Sequence, residues 1–171
     1  VVLGPEMKST GEVMGIAGNF PAAFTKTQLA IDYEPPRGGE VFISVNDGDK
    51  RNITAIARSI ARLGFSLVAT MGTARALRAS GIECEEVGKI HAGSHTILDR
   101  IASGEIVLMI NTPFGSSTNT DGYEMRAACV RHGVSYCTTL AGAQALIAGM
   151  EAVRETGLDV IALQDLPQWE G

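Results

Sequence analysis

The chain has 171 residues, 45% of them hydrophobic and 19% charged, and a formal net charge of −5, which suits one respectable core with an appendage. An acidic chain with a pI near 5.2 and neither a basic run nor an aromatic ladder is a poor match for nucleic acid or an anionic membrane surface. Cys84, Cys129 and Cys137 are odd in number and widely spaced, no apolar run is long enough to cross a bilayer and no leader with a cleavage site is visible, so the expectation is a cytoplasmic protein with reduced thiols.

In chain order, the segment from Val1 to Gly18 is rich in turn residues, has no sustained period and opens without Met, which reads as the tail of a longer polypeptide. Phe20 to Leu29 places Phe20, Ala23, Phe24 and Leu29 roughly on one face and predicts a short helix. Asp32-Tyr33-Glu34-Pro35-Pro36-Arg37-Gly38-Gly39 cannot continue a helix or a central strand. A domain boundary is expected there, dividing the chain into residues 1–38 and 39–171.

Beyond it the pattern alternates. Glu40 to Val45 is a β-branched and aromatic strand. Lys50 to Leu63 carries Ile53, Ile56, Ala57, Ile60 and Ala61 at helical spacing and stops before Gly64. Phe65 to Ala69 predicts a strand, Gly72 to Ala79 a helix, Glu85 to Val87 a short strand and Ile97 to Ala102 a short helix. Ile106 to Ile110 is a buried apolar strand and Gly122 to His132 a helix. Val134 to Cys137 and Leu140 to Ala152 complete the alternation, with Val160 to Leu163 as a final strand. Strand, helix, strand, helix at this rhythm implies an α/β fold: a parallel sheet with helices on both faces.

Ligands on such sheets sit at the carboxyl ends of the strands. Val68-Ala69-Thr70-Met71-Gly72-Thr73 runs from an apolar strand through a Thr-x-Gly-Thr turn into a helix. Hydroxyls and free amides at a helix N-terminus favour an anion, although Thr and Gly also serve such turns merely as cap and hinge. Lys50 and Lys89 both follow candidate strands, as Thr70 does, and Asn111 falls at the end of another. A lysine so placed is otherwise a solvated charge, and Asn111 otherwise a turn residue. His91, His95 and His132 have no metal-ligand spacing, and no metal site is assigned.

The run Gly-Pro-Glu-Met-Lys-Ser-Thr-Gly-Glu-Val-Met-Gly at positions 4 to 15 resembles the closing segment of the second ATP-grasp half of the glutamine-dependent carbamoyl-phosphate synthase large subunit. The remainder resembles that family's C-terminal allosteric domain, of the methylglyoxal-synthase-like fold, to about Met150. The resemblance implies residues 1–38 as the tail of the ATP-grasp half plus linker and 39–171 as the allosteric domain. It also implies an effector site for UMP and IMP: Lys50, Thr70, Thr73 and Lys89 on the phosphate, with Ser44 and Asn111 on the rest of the nucleotide. Tyr136 and Thr138 match residues of an ornithine site completed outside this chain. Where some members have Asn-Thr-Thr, this chain has Asn111-Thr112-Pro113, which bears on effector preference.

By the same resemblance, UMP inhibits and IMP or ornithine activates a parent enzyme that makes carbamoyl phosphate from bicarbonate and glutamine-derived ammonia for arginine and pyrimidine synthesis. ATP and Mg²⁺ or Mn²⁺ belong to that parent, and its partners are the rest of the large subunit and a small glutaminase subunit. Relatives regulated by N-acetylglutamate carry an aromatic residue where Lys89 stands, which favours a phosphate ligand here. The alternative is a lyase of the methylglyoxal synthase type, acting on dihydroxyacetone phosphate. That chemistry needs a general base beside the phosphate. Where that enzyme carries Gly-Gly-Asp this chain has Ala92-Gly93-Ser94, and its later His and Asp face Thr118, with Asp121 the one carboxylate left.

Overall fold

The computed structural model describes residues 11–31, 33–88, 96–112 and 119–165. Lys89, the histidines His91 and His95, the segment Ala92-Gly93-Ser94, Pro113, Thr118 and the first part of the ATP-grasp-like run lie outside the described residues. The described residues fall into two compact units, Pro35–Ile147 and a second formed by residues up to Glu34 together with those from Ala148 onward.

The Pro35–Ile147 unit is built on β1 (Glu40–Val45), β2 (Ser66–Thr70), β3 (Glu85–Val87), β4 (Ile106–Thr112) and β5 (Ser135–Cys137). They form one sheet in the order β3-β2-β1-β4-β5, and every pairing is parallel. Between them run α2 (Ile53–Arg62), α3 (Met71–Ala79), α4 (Ile97–Ala102) and α5 (Asn119–His132), and α6 (Leu140–Thr156) follows β5. This is the alternation that the hydrophobic pattern predicts: β1, β3 and α4 have the predicted bounds, and the other boundaries move by at most four residues. The largest shifts are at α2, which starts at Ile53 because Asp47–Asp49 form a separate 3-10 turn with Lys50 as its C-cap, at α5, which starts three residues before Gly122, and at α6, which runs four residues beyond Ala152.

Register sorts the core into two layers. Phe42 pairs with Val68 and with Met109, and these three pack with Val87, with Ile97 and Ile101 of α4, and with Met125 and Cys129 of α5. Alternation along each strand turns Val41, Ile43, Leu67, Ala69, Leu108 and Ile110 to the opposite face, and all are buried. α2, which packs on β2, and α3, which packs on β1, β2 and β3, bury Ile53, Ile56, Ala57, Ile60, Ala74 and Leu77. β4 reads as a continuous apolar run because both its faces are covered. Gly64, at φ +81°, takes the left-handed conformation that ends α2. Gly39, at φ +119°, also lies where a Cβ would come within 2.7 Å of the Val107 side chain.

At the amino ends of the strands, α4 sends Arg100 to three carboxylates: Glu40 at 3.2 Å, Glu85, and Glu105 at 3.8 Å. Burial works against the guanidinium charge, and the carboxylates outweigh it and push its pKa up. This cluster ties α4 to the starts of β1 and β3 and lies at the end of the sheet opposite the carboxyl ends of the strands.

In the second unit, α1 (Phe20–Leu29) has the predicted bounds, capped by Asn19, whose side chain accepts the Ala22 N–H at 2.9 Å. Its packing is not the predicted one. Phe20 is 66% exposed and Leu29 38%, whereas Thr25 is 2% exposed. The close contact is Thr25 against Gly149 of α6, where a Cβ would sit 2.3 Å from the threonine Oγ1, so small side chains rather than aromatics set the approach of these helices. The final strand expected over Val160 to Leu163 does not form: residues 158–162 carry no regular structure and Leu163–Asp165 is a 3-10 turn. Val160 is 98% exposed, so its β-branched composition meets no strand to pair with.

Cys129 is fully buried between α5 and β4, and burial pushes its thiol from 9.0 up to about 11. The thiolate is thus disfavoured in the folded state. The stability tied to it is complete below the unfolded pKa near 9 and is lost as pH rises through 11. Urea unfolding of the wild type and Cys129→Ala across this range should show an extra loss on the order of 2 kcal/mol in the wild type; parallel profiles would contradict it.

Candidate functional site

Helices on opposite sides of a sheet diverge where the strand order turns back. Here β1 is followed by β2 on one side, while β4 lies on its other side. Right-handed crossovers put α2 and α3 on one face and α4 and α5 on the other, leaving a crevice at the carboxyl ends of β1 and β4. The register brings Ser44 beside Asn111 and Val45 beside Thr112 at this point.

Four of the sequence-predicted residues gather here. Thr70 ends β2 and is the N-cap of α3, with extended backbone and no side-chain capping bond. Its Oγ1 lies 3.3 Å from the Thr73 Oγ1 and 3.4 Å from the Ser44 Oγ. Thr73 is 1% exposed, and its Oγ1 accepts the Val45 N–H at 3.2 Å. This bond fastens the first turn of α3 to the end of β1. Lys50 arrives from the 3-10 turn after β1, and its Nζ lies 3.0 Å from where a Cβ on Gly72 would stand. Glycine therefore makes room for an ammonium directly over the helix N-terminus, whose amides carry partial positive charge.

The Lys50 ammonium is already paired with Asp47. Asp47 is almost wholly exposed at 94%, and the hydrogen bond and charge of Lys50 lower its pKa. Such a pair is weak and open to exchange. An incoming dianion competes for the same ammonium with stronger charge-assisted bonds.

Asn111 is buried at the end of β4, adjoining Ser44. Tyr136 and Thr138 do not join the cradle. β5 pairs with β4 alone, and both residues are exposed on or just after that edge strand.

Three residues beyond those expected to hold the effector also shape the site. Thr112 accepts the Asn46 N–H at 3.2 Å and its Nδ2 at 3.1 Å, locking the ends of β1 and β4 together. Asn46 also accepts the Asp49 N–H and donates to the Asp49 carboxylate at 2.7 Å, shaping the turn that carries Lys50. An Asn followed three residues later by Asp is a turn signal that could have marked it. Arg126 of α5 reaches the Asn111 side of the crevice; a lone arginine in a helical pattern gives no sign of this.

Among the described residues, no cluster of His, Cys, Asp and Glu is arranged to hold a metal, and no helix is long and apolar enough to cross a membrane.

A parallel α/β unit with hydroxyls, helix-end amides and an ammonium converging at its switch point defines the class: an α/β domain equipped to bind an anion. Residues 52–138 match the MGS-like domain, and the chain belongs to that family. Over 166 residues it is 52% identical to the carbamoyl phosphate synthase large chain, C-terminal section, of Methanopyrus kandleri, a match covering 96% of this chain and 31% of that protein. It is 46% identical over 165 residues to the carbamoyl phosphate synthase large chain of Myxococcus xanthus, covering 96% of this chain and 15% of that one. The chain thus spans about a third or less of the length of these curated relatives. The resemblance read in the sequence to the C-terminal section of the large chain extends over nearly all of it. A solved methylglyoxal synthase from Elizabethkingia anophelis NUHP1 shares the fold, with a TM-score of 0.52 at 18% identity over 66% of this chain and 78% of that one.

Thr73→Val should leave the buried Val45 N–H without its acceptor and lower stability by about 1–3 kcal/mol in urea unfolding; an unchanged midpoint would remove the hydroxyl's structural role. Asp47→Asn should release Lys50 and tighten inorganic phosphate about two- to five-fold in a calorimetric titration, the scale of an exposed ion pair. Weaker binding would show that Asp47 positions the lysine rather than competing for it.

Proposed function

We propose that this chain is the regulatory section of a carbamoyl phosphate synthase large chain, residues 1–38 belonging to the preceding ATP-grasp half and its linker and 39–171 forming the effector domain. Its ligands are nucleoside monophosphates, UMP as inhibitor and IMP as activator. The observation that carries this reading is the position of the Lys50 ammonium over the first turn of α3, beside the Thr70 and Thr73 hydroxyls 3.3 Å apart. A monophosphate brings nearly two negative charges, and an ammonium, hydroxyls and free helix-end amides are the donors it needs. Lys89 supplies the second cation, and Ser44 and Asn111 contact the nucleoside. Tyr136 and Thr138, exposed near the sheet edge, form part of an ornithine site whose acidic residues come from the rest of the large subunit.

The parent enzyme uses ATP with Mg²⁺ or Mn²⁺ in its ATP-grasp halves. Working in the cytoplasm with a small glutaminase subunit, it condenses bicarbonate and glutamine-derived ammonia into carbamoyl phosphate for arginine and pyrimidine synthesis. The nucleotide regulates it by binding two conformations unequally, since equal affinity shifts no equilibrium. This section performs no chemistry itself. Asp121, the one carboxylate left where a lyase would hold its base, is exposed on α5, and a phosphate pocket without a base binds without turning over.

Calorimetry of the chain with UMP and with IMP should give binding that weakens as salt is added; no heat with either would overturn the effector assignment. Lys50→Ala and Lys89→Ala should each weaken UMP by about 1.5–3 kcal/mol, the range of a hydrogen bond to a charged group. Dihydroxyacetone phosphate should yield no methylglyoxal, and measurable turnover would instead establish the lyase.

A further inference from the structure

α2 and α3, which share one face of the sheet, end alike. In α2 the Gly64 N–H donates to the Ala61 carbonyl at 2.9 Å and the Phe65 N–H to that of Ile60 at 3.3 Å; in α3 the Gly81 N–H donates to Arg78 and the Ile82 N–H to Leu77, both at 3.0 Å. Both glycines are left-handed, at φ +81° and +72°, so each helix closes with the paired bonds of the same glycine cap. The cap turns the next residue inward, and Phe65 and Ile82 are each 5% exposed. Glu83, one position further, is exposed.

Between these helix ends lies a cleft of about 640 Å³, lined by Arg58 and Arg62 of α2, by Phe65 and Leu67 around the start of β2, and by Ile82 and Glu83 ahead of β3. That volume is in the range of small-molecule sites. The cleft opens at the amino ends of the strands, away from the phosphate cradle, and on the half of the sheet opposite β5. Its floor is apolar, and its rim carries both signs of charge. Arg58 donates through Nη2 to the Ser80 carbonyl at 2.9 Å, which holds the guanidinium at the end of α3 and spends one of its five donors. That acceptor is neutral. Among the described residues, neither Arg58 nor Glu83 is in an ion pair. Opposite charges that line one cleft without pairing suit a ligand that carries both.

We infer that this cleft binds a free α-amino acid with an apolar side chain: Arg58 holds the α-carboxylate, Glu83 holds the α-ammonium, and the side chain covers Phe65, Leu67 and Ile82. A guanidinium suits a carboxylate because its planar fork offers parallel donors. The carboxyl ends of α2 and α3 flank the cleft, and their partial negative charge favours the ammonium. A plain organic anion would satisfy Arg58 but meet Glu83 and two negative helix ends, while a plain amine would satisfy Glu83 but meet the arginines. Arg62 stands one turn from Arg58 on the same face of α2 and repels a cationic side chain, so the ligand of this cleft differs from ornithine. None of these residues belongs to the phosphate cradle, and the inference is independent of the nucleotide reading.

Phenylalanine, phenylpropionate and phenethylamine share a ring and carry both charged groups, the carboxylate alone and the ammonium alone. Titrated into the isotope-labelled 171-residue chain, phenylalanine should shift the amide resonances of Leu67, Ile82 and Glu83 with an affinity of about millimolar, the scale for a ligand of its size. It should bind about two- to five-fold more tightly than either of the others, the worth of an exposed ion pair. Glu83→Gln should bring phenylalanine down to the level of phenylpropionate and Arg58→Ala down to that of phenethylamine, with the affinity for inorganic phosphate unchanged in both. Arg58 and Glu83 are exposed, so both variants should keep the melting temperature of the wild type; should Arg58→Ala fail to fold, Glu83→Gln decides alone. Wild-type affinity for phenylalanine in either folded variant would overturn the site. So would the absence of shifts at Leu67 and Ile82, or phenylpropionate binding as tightly as phenylalanine.

Discussion

The site depends on one constraint, that β1 lies between β2 and β4 with all three parallel. Parallel strands bring their carboxyl ends to the same edge, and the reversal of strand order at β1 sends neighbouring helices to opposite faces. Without that divergence the backbone between β1 and β4 would be covered, and the residues at the strand ends would have nothing to face. Ser44, Thr70 and Asn111 share one location because each ends, or nearly ends, one of these three strands. Lys50 joins them because the 3-10 turn after β1 is too short to carry it elsewhere.

The edge is then held by side chains whose hydrogen bonds cross between elements. The Thr73 hydroxyl accepts from the Val45 backbone, and Thr112 accepts from the backbone and side chain of Asn46. Thr73 and Thr112 are almost completely buried, so these bonds form in a poorly solvated setting where the loss of a partner is expensive. The consequence is a rigid frame before any ligand arrives. Donors that are already placed need not be ordered on binding, and the entropy that would otherwise oppose association is spent in folding instead. Lys50 is the contrasting element, a long side chain on a fully solvated partner, free to change that partner for an anion.

Much of this was legible in the sequence, for reasons that differ between elements. The strands and helices of the Pro35–Ile147 unit follow hydrophobic period because each buries a face against the same sheet, and period reports burial. Thr70, Thr73 and Lys50 were legible because strand ends are where ligands gather on such sheets. The failures share a cause. Val160 to Leu163 has strand composition, but a strand needs an edge to pair with, and composition says nothing about edges. Phe20 and Leu29 look like the buried face of α1, yet Thr25 is the residue at the close approach to Gly149, since helix spacing there is set by small groups. Asn46 and Thr112 act through each other across 66 positions, and no local pattern encodes a contact of that kind.

The polar balance of the crevice also bears on how an acidic chain would attract the proposed anion. The net charge of −5 sets a weak repulsive field that salt screens over about 10 Å, whereas the donors act at hydrogen-bond distance, where individual bonds dominate. Attraction is therefore local and depends on geometry rather than on overall sign. It follows that the strongest determinants are donors with no competing partner. Lys50 has Asp47, and Thr73 accepts from Val45. Among the described residues, the Asn111 Nδ2 and the Arg126 Nη1 are buried without a hydrogen-bond partner, so their desolvation is a cost that the fold carries.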